Sequence, residues 1–180
     1  RDAGADRAAL DAGYADAMLG VARAFPGDDD VAVLAAEAAM DTTPWNYWEA
    51  DGKTPVGRIG EAVRLIEIVL RRNPDHVQAN HLYIHLMEAR DPQRAEAAAD
   101  RLAKPLAPSA AHLVHMPGHI YQLRGRHADS IRVNVAAARA DEAFIRSAGD
   151  DGLVRYGYYP HNVHFIVTSA QMAGDMRTAV

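Results

Sequence analysis

PSAAHLVHMPGHIYQLRGRH, residues 108–127, is the stretch on which the reading of this chain turns. It opens on Pro108, places His115 and His119 one helical turn apart, and closes on the turn signal at Gly125. Earlier in the chain, PDHVQANHLYIHLMEARD at 74–91 repeats the layout. Pro74 falls under Pro108, His81 under His115, His85 under His119, Arg90 under Arg124, and Asp91 under Gly125. The spacing in every case is 34 residues, the length of a two-helix repeat unit.

The frame extends in both directions. Pro26 opens an earlier unit in FPGDDDVAVLAAEAAMD (25–41), and Gly174 closes a later helix in YPHNVHFIVTSAQMAGD (159–175). Each lies farther away than one period, and the excess falls in two segments rich in Gly, Asp, Pro and aromatics, as inserted loops should be. The expected organisation is one repeat domain over 1–180: a partial unit at 1–25, then 26–73 with an inserted loop at 42–57, 74–107, 108–158 with an inserted loop at 147–159, and a partial unit at 160–180. Because Val180 falls inside a helix and a terminal repeat needs a polar cap, further chain is expected beyond it. The spacing predicts helices over 6–24, 29–41, 57–72, 75–90, 92–104, 109–124, 127–147 and 160–173. Ile59, Val63, Ile66 and Leu70 supply the apolar face of the third.

Composition agrees. The 180 residues suffice for one ordinary core, and Ala, Leu, Arg, Glu and Asp dominate, which favours helices. The net charge of −5, without a dense block of Lys or Arg, argues against nucleic acid as a partner. The longest apolar run, LIEIVL at 65–70, is interrupted by Glu67, so no membrane span is expected. The absence of cysteine removes disulfides, thiolate metal sites and cysteine nucleophiles, but leaves cytoplasm and periplasm both open.

In detail the unit that begins at Pro108 resembles the tetratricopeptide-repeat family. Gly118, Tyr121, Gly125 and Ala137 stand where that family has Gly, Tyr, Gly and Ala, and Pro74 and Pro108 match its proline; Pro117 and Ser130 depart from the pattern. HLVHMPGHIY (112–121) and YPHN (159–162), with PWNYW (44–48) before them, resemble a bacterial group within that family. The resemblance implies an all-α, right-handed α-solenoid of helix hairpins and a concave groove lined by the first helix of each hairpin. It implies no reaction.

Carried over residue by residue, the groove rows hold Val33, His81, His115 and His164; Glu37, His85, His119 and Thr168; and Asp30, Gln78, His112 and His161. Seven of the nine histidines fall in these rows, all but His76 and His127. Two imidazoles at i and i+4 share a helix face, and neutral imidazole is the commonest transition-metal ligand. The expected ligands of a divalent metal are therefore His81, His85, His115, His119 and His164, with Glu37, His112 and His161 as supporting or alternate ligands. Without thiolates the ion would be Zn, Cu, Fe or Ni. One such pair alone is commonly just helix surface; the case rests on two aligned pairs with further histidines beside them.

HLYIH lacks the glutamate of H-E-x-x-H, though Glu88 stands one turn after His85 and is the substitute base if one exists. Neither a phosphate-binding glycine loop nor a G-x-S-x-G elbow is present, and Ser109, Ser130 and Ser169 form no recognisable triad. Trp45, Trp48, Tyr121 and Tyr159 are the candidate ligand-contacting aromatics, although sealing a seam is the commoner use of such side chains. Two functions fit this pattern: a metal centre for chemistry on a small ligand, or an interaction module whose groove takes a peptide.

Overall fold

The computed structural model describes residues 4–149 and 152–179. The fold is all-α: among the described residues the extended pairing is confined to an isolated antiparallel bridge between Trp48 and Pro55. Contacts divide the chain into two compact units, Arg1–Leu86 and Met87–Val180. No helix among the described residues is long and apolar enough to cross a membrane.

The first unit is built on alanine. Helix α1 (Arg7–Ala24) is capped by Asp6, whose carboxylate accepts from the Ala9 amide, and α2 (Asp29–Asp41) by Asp28, which accepts from Val31. Each cap satisfies an amide that the first helical turn leaves without a partner. Ala15, Ala22, Ala32, Ala35, Ala36 and Ala39 are all buried, and such small residues let backbones approach closely. α3 (Ile59–Arg72) starts two residues later than the periodicity predicts, because Gly57 takes a left-handed conformation at φ 50° before it. Its buried face is Ile59, Ala62, Leu65, Ile66 and Val69, while Val63 and Leu70 are half-buried. Arg58 clamps Asp16 of α1 through two bonds of 2.7 and 2.8 Å, and Arg72 binds Asp29 of α2.

The segment 42–57 is an ordered tab. Glu49 N donates to Thr54 O and Val56 N to Tyr47 O, with Asp51 holding the tip through Lys53 N and Thr54 N. The Trp48 indole pins the tab to α4 (Val77–Glu88) by donating to Leu86 O at 2.7 Å. Tyr83 of α4 donates to Glu67 of α3 at 2.8 Å.

In the second unit, α5 (Glu96–Leu102) is shorter than the predicted 92–104. The helix expected over 109–124 is two: α6 (Ala111–His115) and α7 (Pro117–Leu123). Pro117 has no amide hydrogen and its ring crowds the carbonyl four residues back, so the ladder is interrupted at Met116. Gly125, at φ 72°, closes the turn into α8 (His127–Ala148), with Arg126 N donating back to Tyr121 O at 2.8 Å. Gly149 ends α8 in the same left-handed conformation. Part of the predicted loop at 147–159 is helical: Val154–Tyr158 forms a π-turn that runs directly into α9 (Tyr159–Ala173).

Two bonds fasten α9 to α8 at its start. Tyr159 donates to Glu142 at 3.0 Å, and the buried Asn162 donates to the buried Asp141 at 2.7 Å. Burial raises the Asp141 carboxyl above its ordinary range, with the Asn162 bond opposing. A raised carboxyl stabilises the fold at low pH and loses that contribution as pH climbs through the raised value. Asp141→Asn keeps an acceptor for Asn162 and removes the desolvated charge. The expected result is a higher melting temperature than wild type at pH 8 and a near-equal one at pH 3, read by thermal circular dichroism.

Candidate metal centre

Three imidazoles of the second unit converge: His115 at the end of α6, His119 on α7 and His161 in the first turn of α9. Their ligand nitrogens all lie within 4.8 Å of one another. His115 Nε2 is 2.8 Å from His119 Nε2 and 3.1 Å from His161 Nε2. The Phe165 ring packs against all three, at centroid distances of 4.8, 5.0 and 5.0 Å. His115 is buried, His119 half-buried and His161 exposed, so the cluster opens to solvent on the His161 side.

The outer nitrogens settle which way the inner lone pairs point. Glu88 Oε2 lies 2.7 Å from His119 Nδ1, and a carboxylate only accepts, so His119 Nδ1 carries a hydrogen. Asn134 Oδ1 lies 2.6 Å from His115 Nδ1. The orientation of that amide is fixed, because Asn134 Nδ2 donates to the Ser130 carbonyl at 2.8 Å. His115 Nδ1 therefore also carries a hydrogen. With neutral rings, both Nε2 lone pairs face one another at 2.8 Å, an arrangement that a shared proton or a metal ion would relieve.

Behind Asn134 the polar contacts continue into the core. Asn134 Nδ2 reaches Ser130 Oγ at 3.4 Å, Ser130 Oγ lies 2.8 Å from Ser169 Oγ, and Ser169 donates to Gln122 Oε1 at 2.7 Å. Ser130, Asn134 and Ser169 are each fully buried. Gly118 leaves room for this: a Cβ there would stand 2.5 Å from Asn134 Nδ2. Burial, helped by the neighbouring His119 charge and opposed by the Asn134 bond, pulls the His115 ring down to about 3. His161 is lowered too, first by burial of the face it presses on its neighbours, then by His119 and His164. Both rings therefore favour the neutral, metal-ready form.

No protein-family model, curated protein or solved structure matches this chain. Function has to be read from the site itself.

The expected residues divide as follows. His115 and His119 meet with His161, which the sequence placed among the supporting ligands, while His164 sits exposed on α9 outside the triad. The His112 ring packs at a tilt against Tyr158, with centroids 5.3 Å apart, and lies 6.2 Å from that of His115. Tyr121 is buried in the α5–α7 packing, its hydroxyl donating to Asp100 and its ring under the Arg126 guanidinium. Tyr159 serves the α8–α9 junction. In the first unit, His81 and His85 share one face of α4 with ring centroids 4.9 Å apart, Trp45 lies edge-on to His85, and Glu37 accepts from Gln78.

Sequence reasoning missed Asn134, Phe165 and the Ser130–Ser169 contact, and it read Glu88 as a base rather than a partner of His119. The signal for the first was present. Ser130, Asn134 and Asp141 recur at helical spacing among Val133, Ala137 and Ala138, a polar stripe on the buried face of α8. Buried polar groups of that kind need partners.

Proposed function

We propose that His115, His119 and His161 hold one divalent transition-metal ion, and that this ion is the protein's functional group. The observation that carries the reading is the convergence of three Nε2 atoms, two of them with their Nδ1 hydrogens engaged by Glu88 and Asn134. Such outer partners fix the tautomer and orientation of histidine ligands. In a tetrahedral zinc site with Zn–N near 2.05 Å, ligand nitrogens stand about 3.3 Å apart. The 2.8 and 3.1 Å separations need to open only by a few tenths of an ångström.

Three neutral nitrogens without thiolate suit Zn(II), Cu(II), Fe(II) or Ni(II). Three protein ligands leave a coordination position for water or substrate, so the ion would act as a Lewis acid or activate water on a small ligand entering from the His161 side. The tetratricopeptide-like solenoid remains part of this reading. Its support is the 34-residue period and the α7–α8 hairpin, closed at Gly125 where that family has a glycine.

The test is elemental analysis of protein purified without a histidine tag or chelator, followed by zinc titration of the chelator-stripped chain. One equivalent of zinc is expected at the triad, lost in His161→Ala with helicity intact. Acid should release the ion, because protons compete for the ligands. Burial lowers two of the three rings, so half-release is expected below pH 6, measured by dialysis across a pH series. If no metal is bound and none is taken up, the reading fails and a peptide-binding module takes its place.

A further inference from the structure

The first unit repeats the histidine pair of the second, and its surroundings are different enough to ask what it holds. His81 and His85, at i and i+4 on α4, bring a nitrogen each within 4.8 Å of the other. Their rings meet edge to face, with centroids 4.9 Å apart. His81 Nδ1 lies 3.1 Å from Gln78 Oε1, and the Gln78 amide is turned that way by donating to Glu37 Oε1 at 3.5 Å. An amide oxygen accepts, so the hydrogen of His81 sits on Nδ1 and its lone pair on Nε2. The Glu37–Gln78–His81 series thus does for this pair what Asn134 does for His115.

Against the pair lies Trp45. Trp45 is 73% exposed, and its ring centroid is 5.1 Å from that of His85 at an interplanar angle of 81°. Its backbone stands at φ 64°, among the described residues the one non-glycine in the left-handed region. A bulky side chain rarely adopts that conformation, and it persists where the surroundings hold it, commonly at ligand sites. The tab that carries it is anchored by Trp48 on Leu86 O, so the indole is presented to the histidines by an ordered support.

We infer that His81 and His85 chelate a second transition-metal ion, of the Cu(II) or Ni(II) type, with the Trp45 indole as the wall of the site. Two imidazoles one helical turn apart form a bidentate nitrogen donor, and borderline imidazole nitrogens without carboxylate or thiolate favour these ions over hard cations. This site does not depend on the triad reading.

The experiment is a Cu(II) titration of the full chain followed by tryptophan emission, with equilibrium dialysis for stoichiometry. A paramagnetic ion on His85 should quench Trp45 in a saturable step. His85→Gln should weaken that step at least tenfold. Trp45→Phe should remove most of the quench while dialysis still shows the ion bound. His161→Ala should lose the triad's equivalent and leave the quenching curve unchanged. Absence of quenching, an unaltered curve in His85→Gln, or loss of the quench in His161→Ala would each overturn the second site. A quench that persists where the triad takes no metal would leave this site standing and remove the triad.

Discussion

Zinc added to the metal-free protein should raise its melting temperature by on the order of ten degrees, and His161→Ala should abolish the rise. A ligand that binds only the folded state stabilises by about 4 kcal/mol at a thousandfold excess over its dissociation constant. For a unit the size of Met87–Val180, 1 kcal/mol corresponds to roughly 4 °C or somewhat more. The ion would join residues from α6, α7 and α9, which the fold otherwise connects through Phe165, the Ser169–Gln122 bond and the α8–α9 bonds. His161 is the informative position because it is exposed. Its removal opens no enclosed cavity, and its buried neighbour His115 keeps the His119 and Asn134 contacts, so the metal-free melting temperature should hardly move. His115→Ala would also lose the metal, but it would leave the Asn134 oxygen without its donor in the core and lower stability on its own account. A zinc-dependent rise that survives in His161→Ala would place the ion elsewhere.

Much of this was legible in the chain because periodicity and glycine chemistry are local. The 34-residue spacing located the helices, Gly125 the α7–α8 turn, and the i, i+4 pairs put His81 with His85 and His115 with His119. What was not legible depends on register and on distant partners. Pro117 divides a helix that the spacing ran straight through, and the offset of α7 from α6 sets how His115 meets His119. The π-turn at Val154–Tyr158 holds more residues per turn than a 3.6-residue frame allows, so counting along α9 could not settle whether His161 or His164 faces the cluster. Asn134 lies in a helix that the histidine pattern never touches, and only packing brings it to His115. The outer contacts that decide a tautomer are long-range, and long-range contacts are what spacing rules leave out.

The interior of the site makes the second large prediction. Gly118→Ala should destabilise the fold by about 2 kcal/mol and weaken metal binding roughly tenfold or more, although the residue touches no proposed ligand atom. A Cβ at Gly118 would stand 2.5 Å from Asn134 Nδ2 and 3.4 Å from its Cγ, so the amide must move. The amide is not at the end of a flexible chain. Ser130 O holds its nitrogen, His115 Nδ1 holds its oxygen, and both neighbours are buried. Movement therefore breaks at least one bond of a buried group, and the His115 ring loses the partner that keeps its Nε2 lone pair turned toward the cluster. A double-mutant cycle separates this from ordinary overpacking. Asn134→Ala alone should also weaken binding, since it removes the same acceptor, and it vacates the space the new methyl needs. The double variant should then be less destabilised than the two single changes together, and its metal affinity should match that of Asn134→Ala alone. Strict additivity in stability and affinity would mean that Gly118 acts on the backbone of α7 and not through the amide. Coupling in both would make Gly118 the reason that Asn134, and through it His115, can be where they are.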